Sequence, residues 1–167
     1  SISRPEESGE KAAWKAKYGS ITFNQYGREL PTGGMNQAGL VVETMALSAA
    51  RYPEPDRRPY LGSALQWRQY LLDTCATVND VIDADHKVRI SDKVKGIGMH
   101  ILALDKSGDC AAIEFLGGRM SVYRGADLPV AALTNDTYAR SLKYLHRGRA
   151  PLWDTYSSIS RFIKAAT

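Results

Sequence analysis

The side chains of this chain best able to do chemistry are few: His86, His100 and His146, Cys75 and Cys110, and a serine at position 1. The histidines lie far apart, with no His-x-x-His or His-x-x-x-His pair, so their spacing offers no zinc site. His100 falls in the apolar run Met99 to Leu104 and reads as a packed core histidine. Cys75 and Cys110 form no Cys-x-x-Cys motif; two buried free thiols is the first reading, one disulfide the other. Ser1 has the right position to attack an amide carbonyl with its own α-amino group as base, an amine whose reference pKa is about 8. Such a nucleophile should open a buried strand, however, and charged residues follow Ser1, so a processing boundary is expected there. The pairs Gly33-Gly34 and Gly117-Gly118 match neither the P-loop nor the dinucleotide fingerprint, and there is no Gly-x-Ser-x-Gly elbow. The densest basic patch is Lys143-Tyr144-Leu145-His146-Arg147-Gly148-Arg149. It reads as a solvated helix end, with cations near the last carbonyls, in preference to a phosphate-binding site.

The elements that would position such residues can be read from periodicity and turn chemistry. Gly33-Gly34-Met35-Asn36-Gln37-Ala38-Gly39-Leu40 reads as a tight turn, because Gly and Asn tolerate positive φ at low cost. The apolar Leu40-Val41-Val42 then starts a strand reaching about Leu47. Before it, Ser1 to Lys17 is a polar leader with a short helix around Glu10 to Ala16, and Tyr18 to Gln25 alternates as a strand. The prolines of Arg51 to Pro59 make a surface loop. Ala64, Leu65, Trp67, Leu71, Leu72 and Cys75 recur at helical spacing over Ser63 to Cys75. Thr77-Val78-Asn79-Asp80 is a fresh N-cap with an acid at N3, opening a short second helix. Lys87 to Ile90 makes a short strand. A four-strand antiparallel meander follows: Met99 to Leu104, Cys110 to Leu116, Arg119 to Tyr123 and Leu128 to Thr134, with Gly117-Gly118 as a two-residue hairpin turn. A helix from about Asp136 to His146, a Gly/Pro loop and a last helix from about Ser158 end the chain. Helices set with an antiparallel sheet make the class α+β.

The bulk numbers fit one domain with a sizeable core: 167 residues, 44% hydrophobic and 24% charged. No apolar run approaches the roughly 20 residues of a membrane span, and the charged N-terminus is no signal peptide. The net charge of +4 and pI of 9.1 are mildly basic and scattered, so neither nucleic acid nor membrane is expected as a partner. A nucleic-acid module would rest on that charge and the patch at 143–149 alone.

Read together, four stretches resemble the choloylglycine hydrolase family (bile salt hydrolases and penicillin V acylases) among the N-terminal nucleophile hydrolases. They are Gly34 to Leu40, matching Gly-Met-Asn-x-x-Gly-Leu; the hairpin Met99 to Glu114 around an Asp-x-x-Gly turn; Ala132-Leu133-Thr134-Asn135; and Ser160-Arg161-Phe162-Ile163. Their order and spacing carry the resemblance, which runs from about Tyr18 to Ala165. It implies part of a four-layer αββα sandwich spanning 18–167 behind the 1–17 leader. It also implies that Asn135 donates its side-chain amide to a developing oxyanion and that Arg161 sits beside the nucleophile and favours its thiolate. The family's nucleophile is a cysteine at the mature N-terminus, several tens of residues before the Gly-Met-Asn stretch, with an Arg-Asn-x-Asp type segment behind it. Neither occurs here, and the strands expected after the Arg161 helix are missing too. A second oxyanion residue, Asn or Tyr in the family, would fall near Ala46, which cannot donate from its side chain. The chain is therefore expected to be the middle of a larger hydrolase.

The resemblance implies that the parent protein cleaves linear amides with an N-terminal cysteine, through a tetrahedral intermediate and a thioester, without metal or organic cofactor. Conjugated bile salts, penicillin V and N-acyl homoserine lactones are the candidate N-acyl amide substrates. The chain alone is expected to be inactive. The alternative is a truncated, inactive paralogue that binds acyl ligands or a partner. A half-sandwich leaves sheet edges and apolar faces uncovered, so a homo-oligomer or a complementing chain is expected.

Overall fold

The computed structural model describes residues 9–25, 31–91, 98–147 and 157–167. In chain order the strands are β1 (Ser20–Asn24), β2 (Pro31–Asn36), β3 (Val41–Ala46), β4 (Tyr60–Leu61), β5 (Arg89–Ile90), β6 (Met99–Leu104), β7 (Cys110–Leu116) and β8 (Arg119–Arg124). The helices are α1 (Ala64–Thr74), α2 (Val78–Asp83), α3 (Tyr138–His146) and α4 (Ser158–Ala166). Six strands form one antiparallel sheet, ordered β1-β2-β3-β6-β7-β8, while β4 and β5 pair in parallel beside it. Among the described residues no helix is long and apolar enough to cross a membrane.

Strand alternation divides the sheet into two faces. Val42, Ile101, Ala103, Ala111, Ile113 and Phe115 point to one face and are buried against Trp67, Leu71 and Leu72 of α1 and Val78 and Val81 of α2. On the other face Leu102, Ala112 and Tyr123 pack with Tyr138 of α3 and Phe162 of α4. This second cover stops short. Ile21 pairs with Met35, Met35 with Val41, and Val41 with Leu104, so these side chains form one row across four strands. Ile21 is 74% exposed, Met35 52% and Leu104 41%, with Phe23 in the adjoining row at 68%. An apolar sheet face this open is the face a further layer covers.

Several local expectations hold for local reasons. Ser63 caps α1 by accepting from the Gln66 N–H (3.2 Å). Thr77 and Asp80 exchange the reciprocal bonds of a capping box at α2. Gly117 and Gly118 adopt φ of +58° and +79°, which suits the strand twist at the β7–β8 turn. Asp105, in the β6–β7 turn, accepts from the Ser107 hydroxyl (2.5 Å), the Ser107 N–H (2.8 Å) and the Val78 N–H at the start of α2 (3.0 Å). These bonds, the Ser107 hydroxyl first and the Val78 N–H next, hold its carboxyl below the usual carboxylate range. A depressed folded pKa stabilises the fold above the unfolded value of about 3.9, and that contribution fades as pH falls through the folded value. Asp105→Asn should therefore flatten the acid side of a plot of urea midpoint against pH. A variant whose midpoints keep the parent's acid slope would show that Asp105 carries none of it.

Three expectations are corrected. Gly33 and Gly34 lie in β2, and the turn is Gln37–Gly39. A Cβ at Gly34 would stand 2.6 Å from the Ile21 carbonyl oxygen and 3.2 Å from Leu72 Cδ1, so this glycine serves close packing of β1 and α1 on β2. Leu128 to Thr134 is no strand: both backbone groups of Val130 bond the Tyr138 hydroxyl (3.2 and 2.8 Å), and Pro129 has no N–H to give. No helix forms over Glu10–Ala16. Tyr60 N–H donates to the Glu10 carbonyl and Ala12 N–H to the Tyr60 carbonyl, both at 2.8 Å, and Trp14 Nε1–H donates to Asp73 (2.8 Å). Residues 9–17 are thereby laid along α1 and β4. Residues 1–8, the Gly/Pro loop after α3 and the end of the basic patch (Gly148, Arg149) lie outside the described residues.

Candidate active site

Asn135 and Arg161 come together. Arg161 Nη2 donates to Asn135 Oδ1 (2.8 Å), and Asn135 Nδ2 donates to the Ala46 carbonyl at the end of β3 (3.0 Å). Guanidinium can only donate and a carbonyl can only accept, so these two partners decide which way the Asn135 amide points. Ala46 thus takes part through its backbone, which its methyl side chain could not do. Asn135 and Arg161 are exposed, whereas Thr134 and Phe162 beside them are buried. The site lies at a sheet end with its anchors in the core.

Each side chain is delivered by an identifiable element. Ser157 caps α4, accepting from the Ser160 N–H (3.1 Å), and Phe162 sinks into the core, leaving Arg161 on the solvent side. Thr134 ties the segment before Asn135 to that helix. Its hydroxyl donates to the Ser158 carbonyl and accepts from the Ser158 hydroxyl, both at 2.9 Å. Asn36, from the Gly-Met-Asn stretch, is not at this site. It is buried, donating to the Leu72 (2.8 Å) and Cys75 (2.7 Å) carbonyls and accepting from Ala38 (3.1 Å) and Leu40 (3.0 Å) N–H groups. It closes both the C-terminal end of α1 and the β2–β3 turn.

His100 is buried as expected, but sequence reading missed its partners. Its Nδ1 lies 2.8 Å from Glu114 Oε1 and its Nε2 2.6 Å from the Thr134 carbonyl oxygen. A signal existed: His100 and Glu114 stand at matching positions either side of the Asp105–Asp109 turn, one step beyond the Ile101–Ile113 pair. Cys75 and Cys110 are both free. Burial pushes the Cys75 thiol up to about 11 and raises that of Cys110, so neither is poised as a nucleophile near neutral pH. On β3, burial raises the Glu43 carboxyl against the pull of Arg68. Among the described residues no three His, Cys, Asp or Glu side chains gather as a metal-binding group.

The six-stranded antiparallel sheet, covered by α1 and α2 on one face and left with an open apolar row beyond α3 and α4 on the other, defines part of an αββα sandwich of the N-terminal nucleophile hydrolase type. The structure of penicillin V acylase from Agrobacterium tumefaciens superposes with a TM-score of 0.70 at 28% identity, over 90% of this chain and 48% of that one. A variant of conjugated bile acid hydrolase from Clostridium perfringens superposes with a TM-score of 0.71 at 16% identity, over 90% and 56%, and shows the same fold. In sequence, penicillin V acylase from Pectobacterium atrosepticum is 28% identical over 173 aligned positions, 92% of this chain and 45% of that protein. The family of linear amide C–N hydrolases, choloylglycine hydrolase family, matches residues 5–150. The chain belongs to that family. It spans about half the length of the relatives it matches.

Proposed function

We propose that the protein containing this chain hydrolyses N-acyl amides with an N-terminal cysteine that lies outside these residues. The observation that carries the reading is the hydrogen-bonded pair Asn135–Arg161, joined across 26 positions and anchored on the Ala46 carbonyl. The thiolate adds to the amide carbon, forming the S–C bond while the carbonyl π pair moves onto oxygen. Asn135, whose amide carries a second N–H beyond the one given to Ala46, donates to that oxyanion. Collapse of the intermediate expels the amine, which takes a proton from the nucleophile's own α-ammonium group. Water then attacks the thioester and releases the acid, restoring the thiol. Arg161 contributes a permanent positive charge that favours the thiolate and keeps the Asn135 oxygen turned away from the oxyanion. Penicillin V is the first substrate to try, given the two acylases at 28% identity, with conjugated bile salts and N-acyl homoserine lactones next.

The test is to assay the complete protein and this chain in parallel on all three substrates. The complete protein should turn over at least one of them and the chain none. Turnover by the chain above a no-protein blank, or its absence from the complete protein, would sink the reading. A second reading is favoured by the open row of Ile21, Met35 and Leu104: an inactive module that pairs with a complementing chain or a second copy. Native mass distinguishes a monomer from either assembly.

A further inference from the structure

The segment before Asn135 is held by a buried polar chain that the reaction itself does not use. His100 and Glu114 side chains are both 0% exposed. Glu114 Oε1 also accepts the Tyr138 N–H (2.9 Å), the first N–H of α3, and Thr137 provides that helix with no acid of its own. Because the Thr134 carbonyl can only accept, His100 Nε2 must carry a hydrogen. One further proton then lies between Nδ1 and Oε1, whichever atom it rests on, so the pair is neutral overall. An apolar pair of similar volume would hold β6 to β7 as well. It would not reach the Thr134 carbonyl or the Tyr138 N–H, so what the polar pair adds is direction to the segments that carry them.

We propose that His100, held by Glu114, is a positioning residue for the Asn135–Arg161 site; this rests on the amidase reading above. The ring fixes the Thr134 carbonyl, and Asn135 is the next residue. The Thr134 hydroxyl fixes Ser158, one turn before Arg161. Both ends of the Asn135–Arg161 hydrogen bond thus hang on one residue, and that residue hangs on His100. Loss of His100 lets the Asn135 amide drift from the oxyanion, and a displacement near 1 Å costs on the order of 100-fold in rate.

The test pairs kinetics with spectroscopy on the complete protein. His100→Phe with Glu114→Leu replaces the pair by apolar groups but leaves the Thr134 carbonyl and the Tyr138 N–H without these partners, so it should keep the fold with an unfolding midpoint below the parent's. Its kcat should fall about 100-fold with KM within a factor of a few. On an Asn135→Ala background the same double change should cost far less, because the amide being positioned is gone and only Arg161 is left to shift. The Asn135 side-chain amide, assigned by its absence in Asn135→Ala, should move in the NMR spectrum to the averaged shift of a mobile Asn. Should the double variant fail to fold, Thr134→Val leaves His100 and Glu114 intact and removes the hydroxyl link to Ser158. It should give the same loss of kcat and the same move of the Asn135 amide. Parent-like kcat with an unmoved Asn135 amide, in either folded variant, overturns the proposal. If the complete protein proves to be no amidase, the proposed function fails, while the amide spectrum still decides whether His100 orients Asn135.

Discussion

Asn135→Ala in the complete protein should lower kcat about 100- to 1,000-fold while KM stays nearly unchanged, the signature of a hydrogen bond made only to the oxyanion. The expectation follows from geometry. The Asn135 amide is exposed, its oxygen is taken by Arg161 and one N–H by Ala46, so it is oriented before any substrate arrives. Alanine removes about 3–4 kcal/mol of transition-state stabilisation without leaving a buried group unpaired. Folding should therefore be unaffected, since the losses fall at exposed atoms. Asn135→Asp is the sharper variant. It keeps the partner for Arg161 but sets a carboxylate oxygen against the Ala46 carbonyl and, in turnover, against the oxyanion. It should be at least as slow as alanine. A variant with parent-like kcat and raised KM would assign Asn135 to substrate binding and leave the oxyanion without this donor.

Asn36→Ala should destabilise the fold by on the order of 3–5 kcal/mol, which is large for a single change. The residue is 4% exposed and makes hydrogen bonds with four backbone groups. Truncation leaves the Leu72 and Cys75 carbonyls and the Ala38 and Leu40 N–H groups to find other partners. Each buried polar group left without one costs about 1–3 kcal/mol, and partial rearrangement keeps the total below their sum. Asn36→Asp tests the reason for an amide. The carboxylate still accepts from Ala38 and Leu40 but faces two carbonyl oxygens, so it should be no better than alanine at pH 7. Urea unfolding with an unchanged denaturant slope measures both. A loss within about 1 kcal/mol for Asn36→Ala would mean that α1 and the β2–β3 turn are held by apolar packing alone.

What was legible in the sequence is what depends on near neighbours. The turn-bounded runs of β6, β7 and β8, the Gly117-Gly118 turn, the helix starting at Ser63 and the Thr77–Asp80 cap each turn on residues a few positions apart, so their types suffice to place them. The resemblance added the order of four stretches, and the family match over residues 5–150 spans the first three of them. Where a distant partner decided the outcome, local reading failed. Gly33 and Gly34 look like a turn, but Leu72 and the Ile21 carbonyl crowd Gly34 and make it a packing position. Residues 128–134 have strand composition, but Val130 gives its backbone groups to the Tyr138 hydroxyl. Residues 9–17 are polar enough for a leader, but Tyr60 and Asp73 hold them to the domain. The candidate site shows the same division. Asn135 and Arg161 could be named from the motif order, yet their hydrogen bond, the Ala46 anchor 89 positions away and the His100 contact 34 positions away exist only once the sheet is assembled. Those contacts depend on how β3, β6 and β7 align and where α4 docks. Burial of apolar faces sets that alignment, and no local pattern of residues records it.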